Sequence, residues 1–156
     1  MERLPRSSRT HVSILIVDDF SEWRDRVRRI LAKQPEWQIV GEACDGLQAV
    51  RKAAELDPDV VLLDIGMPVL NGLDAGNQIR RISPRSKIVF LTQEDDADIR
   101  SAALGAGAHG YVLKINAESK LLATIAIALC DGHRPTTRLN DPLAGVDQSF
   151  QLRSKP

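Results

Sequence analysis

A small set of side chains in this 156-residue chain has the types and settings that chemistry requires: Asp18-Asp19, Asp64, Thr92 and Lys114. Each stands at the end of a short run of β-branched and aliphatic residues. Carboxylates gathered within a few ångströms of one another repel, and at least one then has a raised pKa unless a cation sits among them. Carboxylate oxygens, a backbone carbonyl and waters are the donors that Mg²⁺ accepts, usually with few protein ligands and a phosphate. A lysine ammonium and a threonine hydroxyl add a compact cation and a donor for phosphoryl oxygens. Such a set suits a hard dication and a phosphoryl group, whose transfer needs mainly positioning and charge neutralisation. Taken singly, each residue has a plainer explanation. An Asp-Asp pair after a strand is commonly a turn or helix cap, Asp64 could cap its loop, threonine fills strands well, and a lysine after a strand is commonly solvated. The weight lies in the order acid pair, acid, hydroxyl, lysine at matching strand ends.

The elements that must position them alternate between strand and helix, the signature of βαβ units and a parallel sheet. Val12–Val17 reads as the first strand; Trp23, Val27, Ile30 and Leu31 then mark one face of a helix, with Ser21 as its N-cap and Pro35 at its exit. Gln38 to Ala43 reads as strand two and Asp45-Gly46 as a turn. Leu47, Val50 and Ala54 are expected to form the inner stripe of helix two. Residues 59–63 form strand three, apolar on both faces, and helix three runs from Leu73 to Ile82. Strand four covers 87–91, helix four 97–104, strand five 110–113 and helix five 118–130, with Leu121, Leu122, Ile125 and Leu129 inward. In an open parallel sheet the carboxyl ends of the strands share one edge, and ligands bind where strand order reverses. The carboxylates converge there if strands one and three flank that crevice, an order that periodicity alone does not supply.

Asp18-Asp19, Asp64-Ile-Gly-Met67-Pro68, Asn71-Gly72, Thr92 and Gly107-Ala-His-Gly-Tyr-Val-Leu-Lys114 resemble the motifs of response-regulator receiver domains over roughly residues 11–131. The wording around Tyr111 is similar to receivers that precede a LuxR-type DNA-binding domain. The resemblance implies an α/β, doubly wound (βα)5 flavodoxin-like three-layer sandwich with parallel sheet order 2-1-3-4-5. It implies Asp64 as phosphoacceptor, with Mg²⁺ bound by Asp19 and Asp64, by Asp18 mostly through water, and by the Gly66 carbonyl. Thr92 and Lys114 would hold phosphoryl oxygens, and Tyr111 would be an aromatic switch that follows Thr92. The implied partners are a sensor histidine kinase or histidine phosphotransfer protein upstream and an unnamed protein downstream. A homodimer is left open.

Three departures from the family pattern stand out. Gln93 follows Thr92 where a smaller residue is usual, which would restrict phosphodonor access. Ile115 follows Lys114 where many receivers carry proline. A cis bond there would cost roughly 2.5–4 kcal/mol, so that loop is expected to be built differently. Gly66 and Glu94 occupy positions where the family tunes dephosphorylation.

Rival readings are weaker on specific residues. Gly105-Ala-Gly-Ala-His-Gly110 fits the dinucleotide fingerprint but follows a helix and opens a strand, the reverse of what that motif requires; its glycines suit a tight turn. An aspartyl-nucleophile phosphatase would resemble its class in a second Asp two residues after the nucleophile, where this chain has Gly66. His11, His109 and His133 share no ligand spacing. Cys44 and Cys130 match no metal or redox spacing and read as free, half-buried thiols.

Basic and acidic residues balance at 21 each, so no net field favours DNA or membrane. Residues 1–10 read as a flexible start and the receiver as residues 11–131; the apolar run Val12 to Val17 is too short for the core of a signal peptide and runs straight into Asp18 and Asp19. Residues 132–156, rich in proline and glycine, read as a loose tail, docking of a portion around Phe150 and Leu152 being left open. That tail lacks the successive amphipathic helices of a helix-turn-helix. The expectation is a stand-alone cytoplasmic regulator, not an enzyme acting on other substrates, that binds neither nucleic acid nor membrane.

Overall fold

The computed structural model describes residues 11–130. The expectations for residues 1–10, for His133 and for the tail, including that it holds no helix-turn-helix, lie outside the described residues. The chain order is β1 (Val12–Val17), α1 (Ser21–Leu31), β2 (Trp37–Ala43), α2 (Gly46–Leu56), β3 (Val60–Leu63), α3 (Gly72–Ile82), β4 (Lys87–Thr92), α4 (Ala97–Gly105), β5 (Gly110–Leu113) and α5 (Ala117–Cys130). One 3-10 turn, Lys114–Asn116, joins β5 to α5. The strands form one parallel sheet ordered β2-β1-β3-β4-β5.

Alternation along the strands divides the core in two, because successive side chains point to opposite faces. Leu15, Val17, Val61, Leu63, Ile88 and Phe90 meet Ala49 and Ala53 of α2, Ala75 and Ile79 of α3 and Ala103 of α4. Ile14, Ile16, Val60, Leu62, Val89, Leu91 and Val112 meet Val27, Ile30 and Leu31 of α1 and Leu121, Ile125 and Ala128 of α5. With both faces covered, β3 is buried at every position.

Three local expectations are corrected. Ser21 is the first helical residue rather than the cap; the cap position is Phe20, which makes no side-chain cap bond. Its N–H donates to the Asp18 carboxylate, which fixes the chain where α1 begins. In α2 the buried positions are Gly46, Ala49 and Ala53, with Val50 packed beside them, while Leu47 is half exposed and Ala54 exposed. Small residues face inward because the helix lies close to its neighbours: a Cβ at Gly46 would stand 2.0 Å from the Leu70 carbonyl oxygen. Cys44 and Cys130 are free, as expected, but exposed rather than half-buried.

Candidate functional site

Register brings the acidic residues together. Val17 pairs with Leu63 across β1 and β3, so the residues that follow them, Asp18 and Asp64, emerge side by side at the carboxyl edge. The Asp64 N–H bonds the Val17 carbonyl at 3.0 Å, and the Asp18 N–H bonds the Ala43 carbonyl of β2 at 3.1 Å, which locks both in place. This is the point where the strand order reverses, β1 leading outward to β2 and β3 leading away to β4.

One carboxylate oxygen from each of Asp18, Asp19 and Asp64 lies within 4.8 Å of the others. Asp18 is largely committed already: one oxygen accepts from the Phe20 N–H at 2.9 Å and the other faces Lys114 Nζ at 2.7 Å. Lys114 is buried, 3.6 Å from Asp64 Oδ1. Arg24 braces the same loop, with one guanidinium nitrogen on the Asp18 carbonyl at 2.7 Å and Nε on Glu42 at 2.8 Å.

The electrostatics are those of a site with too much negative charge. Burial, then the neighbouring Asp18, pushes the Asp64 carboxyl up to about 6; Lys114 opposes the rise, Asp19 adds to it, and the Gly66 N–H opposes it. Among the described residues, Asp19 Oδ1 is a buried side-chain oxygen with no hydrogen-bond partner. A buried anionic oxygen without a donor is costly. A hard cation set among these oxygens would relieve both the orphan and the repulsion, so the donor set fits Mg²⁺.

Thr92 and Tyr111 come from β4 and β5, the strands beyond β3. Thr92 is buried at the end of β4, where its hydroxyl accepts weakly from the Glu94 N–H at 3.4 Å. Phe90 pairs with Tyr111 across β4 and β5, so Tyr111 and Thr92 share the sheet face packed by α2, α3 and α4. The Tyr111 hydroxyl donates to the Glu94 carbonyl at 3.3 Å, and Arg100 of α4 lies 5.2 Å from its ring centroid. Gln93 and Glu94 are exposed at this rim. Beyond Lys114 the peptide is trans, and the chain turns directly into the 3-10 segment with Ile115 86 % exposed.

The structure therefore gathers Asp18, Asp19, Asp64 and Lys114 into one cluster and sets Thr92 and Tyr111 along the adjoining strands. Gly66 meets the Asp64 carboxylate through its N–H. Sequence reasoning passed over three supports: the Phe20 N–H, the Arg24 clamp and Trp23, whose ring centroid is 5.0 Å from Lys114 Nζ. Trp23 was legible only as part of the apolar stripe of α1. No motif marked the other two.

The family model "Response regulator receiver domain" matches residues 14–126. The chain belongs to the response-regulator receiver family of two-component systems. It is 40% identical over 116 residues to the nitrate/nitrite response regulator protein NarP of Escherichia coli, a match covering 74% of this chain and 54% of that one. Among solved structures, it resembles the response regulator domain of Thermotoga maritima CheB at a TM-score of 0.72 and 33% identity, covering 77% of this chain and 97% of that one. A LuxR-family two-component response regulator from an Aurantimonas species matches at a TM-score of 0.75 and 28% identity, covering 87% and 97%. The chain spans about half the length of the curated relatives it matches first. Among the described residues, no helix is long and apolar enough to cross a membrane.

Proposed function

We propose that Asp64 accepts a phosphoryl group from a phosphohistidine on a sensor histidine kinase or histidine phosphotransfer protein. An Asp64 carboxylate oxygen forms a bond to phosphorus while the bond to the donor imidazole nitrogen breaks. The electron pair stays on the imidazole, which takes up a proton. Asp19 and Asp64 would hold Mg²⁺, with Asp18 acting through water and the Gly66 carbonyl as a further ligand. The ion supplies charge neutralisation for the phosphoryl oxygens. Lys114 swings from Asp18 toward the incoming oxygens, and the Thr92 hydroxyl donates to another. Hydrolysis of the resulting acyl phosphate restores Asp64, so the chemistry is confined to the chain's own side chain.

The acyl phosphate adds negative charge and acceptor atoms beside Thr92. Thr92 moves toward it, Tyr111 leaves Glu94 and turns inward, and the surface of α4, β5 and α5 changes its preference for a protein partner. Neither nucleic acid nor membrane enters this scheme. Its setting is the cytoplasm, where sensor kinases present their phosphohistidine.

The observation that carries the reading is the convergence of the Asp18, Asp19 and Asp64 carboxylates beside the buried Lys114 ammonium, with one Asp19 oxygen left without a partner. Incubation with acetyl phosphate and Mg²⁺, followed by intact mass, tests it. One phosphoryl adduct is expected, absent from Asp64→Asn and abolished by chelator. A wild-type chain that takes no adduct overturns the reading.

A further inference from the structure

The apolar spacing of α1 accounts for Trp23 as a core residue, but its indole also meets a cation that belongs to the acidic pocket. Lys114 opens the 3-10 turn two residues past Val112, which faces α1 and α5, and its side chain reaches the Trp23 ring on that side of the sheet. Its Nζ lies 5.0 Å from the ring centroid, 2.7 Å from Asp18 and 3.6 Å from Asp64. The same ring is held from outside by the Arg26 guanidinium, 5.2 Å from the centroid. Arg26 in turn lies 3.9 Å from Glu118 of α5, which Lys33 also approaches at 3.5 Å. The indole is thus anchored by its own helix and by an ion pair across to the neighbouring one.

We infer that Trp23 is a positioning residue for Lys114, its ring face steering the ammonium between Asp18 and the phosphoryl group. The inference rests on the phosphotransfer reading above. A lysine stem has several rotatable bonds and substantial rotamer entropy, so an unsupported ammonium would spread over several positions. Another carboxylate could hold it, but would repel the incoming phosphoryl oxygens. An aromatic face attracts the cation through its quadrupole and adds no net negative charge. Lys114 can then leave Asp18 for the phosphoryl oxygens while one of its contacts persists through the step.

The test compares the full chain with Trp23→Phe and Trp23→Leu, measuring the rate of adduct formation with acetyl phosphate and Mg²⁺ by intact mass. Melting temperature and Mg²⁺ affinity by calorimetry are followed alongside. Replacing the ring by Leu should slow adduct formation about three- to tenfold, with Mg²⁺ affinity unchanged. Trp23→Phe, which keeps a weaker ring face, should recover part of the rate although the two variants melt alike. Equal rates in all three proteins, or losses that follow melting temperature instead of ring character, overturn the inference and leave phosphotransfer standing. Absence of any adduct in the wild-type chain overturns both.

Discussion

Gly72 stands so close to Asp64 that a Cβ at this glycine would lie 2.0 Å from the Asp64 carbonyl oxygen and 2.7 Å from the Ile65 Cα. The Gly72 N–H also bonds the Ile65 carbonyl at 2.8 Å. The first turn of α3 is thereby pressed against the backbone that carries the central carboxylate. No side-chain motion can relieve such a contact, since the atoms met are all backbone. Gly72→Ala should destabilise the chain by about 2–3 kcal/mol and weaken Mg²⁺ binding. Denaturant unfolding with and without Mg²⁺ checks both.

Asp64 makes folding pH-dependent in protein stripped of divalent cations. Its carboxyl is raised from 3.8 to about 6, chiefly by burial and then by Asp18. The folded state therefore holds this proton more tightly than the unfolded state does. Stability should fall as pH rises from about 4 to 6, with the loss complete above that window and of order 3 kcal/mol at most. Asp64→Asn cannot ionise, so its stability should lack this slope and exceed that of the parent at pH 7. Chemical denaturation across pH, with chelator present, reads the effect. Added Mg²⁺ should recover most of the parent's loss.

Asp19 and Asp18 should not be equivalent toward the metal. Asp18 already serves Phe20 and Lys114, whereas Asp19 carries the orphaned oxygen. Asp19→Asn should reduce Mg²⁺ affinity at least about tenfold, in line with loss of a charged ligand. Asp18→Asn should cost less affinity. It also removes one of the two carboxylates that face Lys114, so its larger effect should be on stability. Calorimetric titration and thermal melts of the two variants separate these roles.

Val69, in the loop between β3 and α3, has φ of 71°. A β-branched residue in this left-handed region crowds its own carbonyl, and the strain is of order 1–3 kcal/mol. Its side chain is 76 % exposed, so little packing is lost with it. Val69→Gly should raise stability by about 1 kcal/mol, measured as a higher midpoint in urea at unchanged slope. A lower midpoint would show that the loop does not hold this conformation in solution.

The order of strands and helices was written in the local pattern of the chain, because alternation and helical spacing are properties of neighbours in sequence. The β-branched runs ending in Asp18, Asp64, Thr92 and Lys114 located the pocket edge for the same reason. The helix faces were less legible: in α2 the spacing suggested Leu47, Val50 and Ala54, whereas close approach of backbones gave the innermost positions to Gly46, Ala49 and Ala53, with Val50 packed beside them.

Sequence by itself determined which groups could react, since their identity and their places after apolar runs depend on no distant contact. Only the tertiary structure decided how they share the work. The pairing of Val17 with Leu63 sets Asp18 beside Asp64, Lys114 takes one Asp18 oxygen while Asp19 is left with an unpartnered one, and Trp23 reaches the ammonium from another helix. Those relations join residues far apart along the chain, and their energies depend on burial and ångström-scale distance, which no local pattern records.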